Sequence, residues 1–93
     1  MRPATARHRV DHAAKALTAH ARSLNVGVVE LGGTIDVALY LGTVVRLVDF
    51  KSDGGSLTER QAKLVAQGVP LHFVREPWQL EALVADMRRE ALT

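Results

Sequence analysis

The sequence predicts an α/β fold on a mixed sheet, with elements in the order α-β-β-β-α-β-α. Three observations predict it. Residues 34–41 and 44–51 are largely apolar runs joined by Gly42-Thr43, and a two-residue loop that opens with glycine fits a type II′ hairpin. Segments with helical apolar spacing stand before, between and after the apolar runs. The last run, residues 69–74, follows one of those helical segments, so a crossover can lay it parallel to a strand of the preceding meander.

The first helix is predicted over residues 5–24. Val10, Ala13, Ala14, Leu17, Ala21 and Leu24 fall on one face, and Asn25 and Gly27 end it. Residues 26–31 form a short strand, and Gly32-Gly33 turns the chain into the hairpin. Residues 52–55, Ser-Asp-Gly-Gly, are a loop. Ser56 with Glu59 three residues on reads as a capping box, opening a helix to residue 67 with Gly68 as its stop. The strand 69–74 comes next. Pro77 suits the first turn of a last helix reaching residue 90, with Leu80, Leu83, Val84 and Met87 on one face. Strands two and three are apolar on both faces, which predicts cover on both sides of the sheet.

The chain of 93 residues reads as one domain, residues 1–93, with 1–6 a flexible basic arm. Its apolar fraction of 47% is ordinary for a globular protein. No apolar run approaches the roughly 20 residues of a membrane helix, and the charged N-terminus has no following apolar stretch of the kind a secretory signal carries. With no cysteine, disulfides, thiolate chemistry and Cys-type zinc sites are excluded, and a reducing cytoplasm suits the chain. The net charge is +2, and it is uneven: residues 1–24 hold Arg2, Arg7, Arg9, Lys15 and Arg22 against Asp11 alone. Such a segment can face nucleic-acid phosphates or simply be solvated.

The chemistry-bearing residues are those that do not belong in buried strands. Asp36 sits in the first hairpin run, and Asp49 and Lys51 close the second. Buried charges are costly unless paired or bound to a metal. If Leu41 pairs with Val44 across the turn, Asp36 lies opposite Asp49 and Thr34 opposite Lys51. Alternation then puts Asp36, Asp49 and Lys51 on one face. Opposed residues have Cβ atoms about 4.5–5.5 Å apart. Two carboxylates at that distance raise one pKa or bind a hard cation such as Mg²⁺ or Mn²⁺. Lys51 beside them can polarise a water or stabilise a phosphoryl oxygen. Gln61 shares a helical face with Leu57, Leu64 and Val65 and should point inward, where an amide can both donate and accept.

Asp36, Asp49-Phe50-Lys51 and Ser56-Leu57-Thr58-Glu59-Arg60-Gln61, together with Gly68-Val69-Pro70 and Phe73-Val74, resemble the PD-(D/E)XK nuclease superfamily. Within it, the chain is most similar to the VRR-NUC group of small replication and repair nucleases, often phage-encoded. The likeness covers residues 34–75. It implies a restriction-endonuclease-like αβββαβ core with a C-terminal helix, and Mg²⁺-dependent cleavage of DNA, with Mn²⁺ substituting. It assigns the metal to Asp36 and Asp49, a catalytic role to Lys51 and a supporting catalytic role to Gln61; the Phe50 carbonyl is a further oxygen that can join the two carboxylates on the ion. It further implies a homodimer acting on branched DNA such as Holliday junctions, in the cytoplasm, or the host cytoplasm for a phage protein. This sequence departs from the pattern at Ile35, where proline is usual, and at Asp49, where glutamate is commoner. The glutamate of the family's first helix has no clear counterpart; Asp11 and Glu30 are the candidates. A non-catalytic DNA-binding or assembly module on the same fold is the alternative.

Other residues carry weaker signals. His8, His12 and His20 share a helical stripe, and His8 with His12 has metal-ligand spacing but no third ligand. His72 reads as a packed strand residue, and Trp78 as packing near the start of the last helix. Gly54-Gly55 reads either as a plain turn or as a place for close phosphate approach. Arg46 faces away from the carboxylates in the predicted register.

Overall fold

A computed structural model describes residues 14–52 and 55–92 of the chain. Helix α1 is described over residues 14–23, and Asn25, with φ of 63°, ends it in the left-handed conformation. The remaining elements are β1 (Gly27–Glu30), β2 (Val37–Leu41), β3 (Val44–Phe50), α2 (Glu59–Ala66), β4 (Leu71–Val74) and α3 (Pro77–Leu92). This is the predicted order. The strands form one sheet, β1-β2-β3-β4, antiparallel throughout except where β4 runs parallel to β3 after the α2 crossover.

The hairpin register is the predicted one: Leu41 pairs with Val44 and Val37 with Val48. Gly42 has φ of 63° and Thr43 is not in the left-handed region, the asymmetry of a II′ turn. Paired residues share a face. Val37, Leu39, Val44, Val48, Phe50 and Val74 therefore point to one side. There they join Leu17 and Ala21 of α1 and Leu80, Val84 and Met87 of α3 in a single buried cluster. Each of the Val, Leu, Phe and Met side chains contributes about 1.5–3 kcal/mol through burial. Leu39, Leu80 and Met87 have no solvent exposure at all, so truncating any of them would cost about 2–5 kcal/mol.

Three differences from the sequence reading matter most, besides shifts of one or two residues at other element ends. β2 begins at Val37, not at 34, because residues 32–36 form a loop that Gly32 (φ 67°) turns and a Leu31 N–H to Asp36 carbonyl bond of 2.9 Å closes. β4 begins at Leu71, not at 69. α2 is capped by Thr58 with Gln61, not by Ser56 with Glu59. The Thr58 hydroxyl accepts from the Gln61 amide, and the Gln61 side chain accepts from the Thr58 amide.

Helices flank the sheet as the sequence predicts, but the described residues cover its second face only in part. α2 lies near the C-terminal end of β3, and Val29, Tyr40 and Val45 remain about half exposed. Tyr40 partly compensates: its ring lies over Gly27, its cross-strand partner, where an added Cβ would sit 2.1 Å from the ring. Trp78 does not pack near the start of α3 as expected; it points outward with 64% exposure. No described helix is long and apolar enough to cross a membrane.

Candidate active site

Asp36, Asp49, Lys51 and Gln61 converge on one cavity of about 730 Å³, between the end of β3, the loop before β2 and the start of α2. The two carboxylates meet as the register demands, although the ladder has stopped one residue earlier. Side chains replace it. The Asp36 amide donates to Asp49 Oδ1 at 3.1 Å, and the Phe50 amide donates to Asp36 Oδ2 at 2.8 Å. These crossed bonds hold the acids against each other across the strand ends.

The local electrostatics follow from that crowding. Burial pushes the Asp36 carboxyl above the ordinary 3.8. The Phe50 amide pulls it back, and the neighbouring Asp49 carboxylate raises it again. Asp49 is 5% exposed. Its second oxygen lies 3.0 Å from Lys51 Nζ.

Lys51 is held on three sides. Besides Asp49, its ammonium donates to Gln61 Oε1 at 2.7 Å and lies 5.6 Å from the centroid of the Phe73 ring. The backbone is fixed as well, since the Lys51 amide donates to the Val74 carbonyl at 2.9 Å and extends the parallel pairing. The predicted pairing of Thr34 with Lys51 does not form. The Thr34 carbonyl instead accepts from Gln61 Nε2 at 2.8 Å.

Gln61 is 2% exposed and is bonded through both its amide oxygen and its amide nitrogen. Its Oε1 accepts from Lys51 and from the Thr58 amide, its Nε2 donates to Thr34, and its backbone amide donates to the Thr58 hydroxyl. One side chain thus ties together the cap of α2, the loop before β2 and the ammonium at the end of β3. Every buried side-chain nitrogen and oxygen among the described residues has a partner.

No protein family, curated protein or solved structure matches this chain. The chemistry of the site is therefore judged on its geometry.

The donor set fits a hard divalent cation. Two carboxylates are in contact, and each oxygen has lone pairs beyond the bonds described above. The Phe50 N–H points at Asp36. Its carbonyl points to the same side of the strand, beyond the last β2 ladder pair, and can act as a third oxygen ligand. No group of three or more acidic or histidine side chains that could hold a metal occurs among the described residues. Mg²⁺ characteristically uses one or two carboxylates and completes its shell with water and substrate phosphate.

The two candidates for a further acid fare differently. Glu30 pairs with Arg22 at 2.9 Å and lines a second cavity together with Asp36. Asp11 lies outside the described residues, as do His8 and His12, while His20 pairs with Glu81 at 2.9 Å. Gly54 is also outside them, and Gly55 lines the cavity. Arg46 faces away from the site as predicted and pairs with Glu90. Sequence reasoning missed Arg75, whose guanidinium donates to the carbonyls of Ser52 (2.6 Å) and Gly55 (2.7 Å) and so braces the loop forming one wall of the cavity. Its targets are main-chain carbonyls more than 19 residues away, which leave no side-chain pattern to read.

Proposed function

We propose that the chain is a Mg²⁺-dependent DNA endonuclease, with Mn²⁺ able to substitute, that hydrolyses phosphodiester bonds. The observation that carries this reading is the contact of Asp36 with Asp49 beside an immobilised Lys51 in one open cavity. The αβββαβ order with a C-terminal helix agrees with the fold of the PD-(D/E)XK nucleases, and of the VRR-NUC group among them, that the motif residues resemble.

Each residue has a distinct task. Asp36, Asp49 and the Phe50 carbonyl would hold the ion. The bound ion supplies Lewis-acid polarisation of the phosphoryl oxygen, an acidified water and charge stabilisation at the leaving oxygen. The Lys51 ammonium donates to the attacking water or to a non-bridging phosphoryl oxygen, where charge develops in the transition state. Gln61 fixes Lys51 and spares the ammonium a search among rotamers at the moment of reaction. A single chain carries one such site, so cutting both strands at a branched junction calls for a two-fold homodimer, matching the near two-fold symmetry of a four-way junction.

The test is cleavage of labelled junction, flap and duplex DNA with Mg²⁺ or Mn²⁺, beside Asp49→Ala and Lys51→Ala. The reading predicts metal-dependent cutting that both variants lose. Binding without cutting, indifferent to both substitutions, would overturn it. A second reading, a non-catalytic DNA-binding or assembly module on the same fold, is favoured by one observation. Among the described residues of α1, those that line the neighbouring cavity beside Asp36 are Ala14, Lys15, Thr18 and Arg22, and none of these is an acid.

A further inference from the structure

Asp36 is a shared wall. On one side it lines the cavity with Asp49, Lys51 and Gln61. On the other it lines a second cavity of about 540 Å³ between α1 and the β1–β2 connection, whose polar walls are Lys15, Thr18, Arg22 and Glu30. Asp36 thus borders both cavities, and the second opens directly beside the proposed reaction centre.

The second cavity sets two cations, Lys15 and Arg22, against the carboxylates of Glu30 and Asp36. Lys15 is exposed and makes no hydrogen bond or ion pair among the described residues. Arg22 is held by Glu30 alone, at 2.9 Å, and both side chains are more than half exposed. An exposed pair of this kind contributes at most about 1 kcal/mol, so a phosphate can take over the guanidinium fork at little expense. The first cavity offers Arg60 at its rim. A mononucleotide or a small diester would reach one cavity only, whereas a polynucleotide strand with one phosphate at Asp36 would present its neighbours to both.

We propose that the α1-side cavity binds the phosphate adjacent to the one at Asp36 on the same strand, through Lys15 and Arg22, with Glu30 as the internal competitor that holds Arg22 when no strand is bound. This rests on the nuclease reading for the position of the central phosphate, but not on any cutting. Arginine released from Glu30 gains a doubly hydrogen-bonded phosphate, and the protonation of both partners is unchanged.

The experiment is fluorescence anisotropy of a short labelled single-stranded oligonucleotide, in Ca²⁺, titrated across a range of salt. The proteins are the full wild-type chain, Lys15→Ala, Glu30→Gln and Lys63→Ala. Lys63 is exposed on α2, lines neither cavity, and removes the same charge. Each lost phosphate contact on a single strand lowers the salt slope by roughly 0.7. Lys15→Ala is expected to lower the slope by about that amount and to weaken binding. Glu30→Gln is expected to tighten binding, and Lys63→Ala to leave the slope unchanged. Equal losses for Lys15→Ala and Lys63→Ala, no binding by the wild type, or competition by inorganic phosphate as effective as by unlabelled strand would each overturn the proposal, the last by reducing the cavity to a single-anion site. Circular dichroism of each variant separates lost folding from lost contact. The two readings fail separately. If the Lys15 and Glu30 effects appear but no DNA is cut with Mg²⁺, the strand track stands and the nuclease falls. Cutting without those effects gives the converse.

Discussion

Replacing Asp36 by asparagine should stabilise the metal-free protein and abolish its response to divalent ions. Two unit charges about 5 Å apart at an effective dielectric near 20 repel by about 3 kcal/mol. Lys51, 3.0 Å from Asp49, offsets much of this, and solvent reaching the part-buried Asp36 screens more. A net cost of about 1 kcal/mol remains. Asparagine removes it while its carbonyl oxygen keeps the Phe50 amide as donor and its amide can donate to Asp49. For a domain of this size, 1 kcal/mol moves Tm by roughly 4–8 °C. The pH dependence has a definite sign. The folded-state pKa of Asp36 is raised above 3.8, so the ionised form is disfavoured by folding. The cost is present above the folded pKa and disappears as pH falls towards 3.8. The advantage of Asp36→Asn should shrink over the same interval. The assay is calorimetric melting in EDTA and again with excess Mg²⁺. A wild-type ion at about 100 times its Kd adds about 2.7 kcal/mol of stability, and the variant should gain none. A lower Tm for Asp36→Asn in EDTA, or an equal Mg²⁺ response in both proteins, would refute the account of two acids forced together to receive a cation.

Further predictions concern the scaffold. Gln61→Ala leaves the Thr34 carbonyl and the Thr58 amide without partners and should cost about 3 kcal/mol, read from the urea midpoint; a loss below a third of that would mean the network is dispensable. Gly27→Ala should cost about 1 kcal/mol by driving the Tyr40 ring off its seat, whereas in a Tyr40→Ala background the same change should be neutral or stabilising, and simple additivity would refute the ring-over-glycine contact. His72 is held below its ordinary 6.5 by burial first and by the Arg46 guanidinium second. The unfolded chain therefore takes up the proton first, and stability present above about pH 6.5 should fall as pH drops towards the folded pKa. His72→Leu should flatten that slope in chemical denaturation; an unchanged slope would remove His72 as its source.

The hairpin was readable in the sequence because a two-residue turn leaves little freedom of register. Fixing Leu41 against Val44 was enough to bring Asp36 to Asp49 and to put Lys51 on the same face. The start of β2 was not readable, because residues 34–36 are as compatible with a strand as with the loop that Gly32 turns, and bonds from side chains to backbone replace the ladder there. The cap of α2 was ambiguous for a similar reason. Ser56 with Glu59 and Thr58 with Gln61 both satisfy the capping pattern. Tertiary partners decide between them, since only Gln61 can meet Lys51 and Thr34 while closing the box. Trp78 illustrates the opposite limit: size and hydrophobicity predict burial, yet its place on α3 leaves it facing solvent. The inward role of Gln61 was legible from its place on the apolar face of the helix, but the bonds to Lys51 and Thr34 that complete the role reach segments 10 and 27 residues away.

The most direct test of the central claim is an anomalous difference map from crystals soaked in Mn²⁺. The account predicts one peak in contact with the Asp36 and Asp49 carboxylates and the Phe50 carbonyl, and its loss in Asp36→Asn crystals. A map empty at that position under saturating Mn²⁺, or a peak bound elsewhere with Lys51 still holding Asp49, would contradict it.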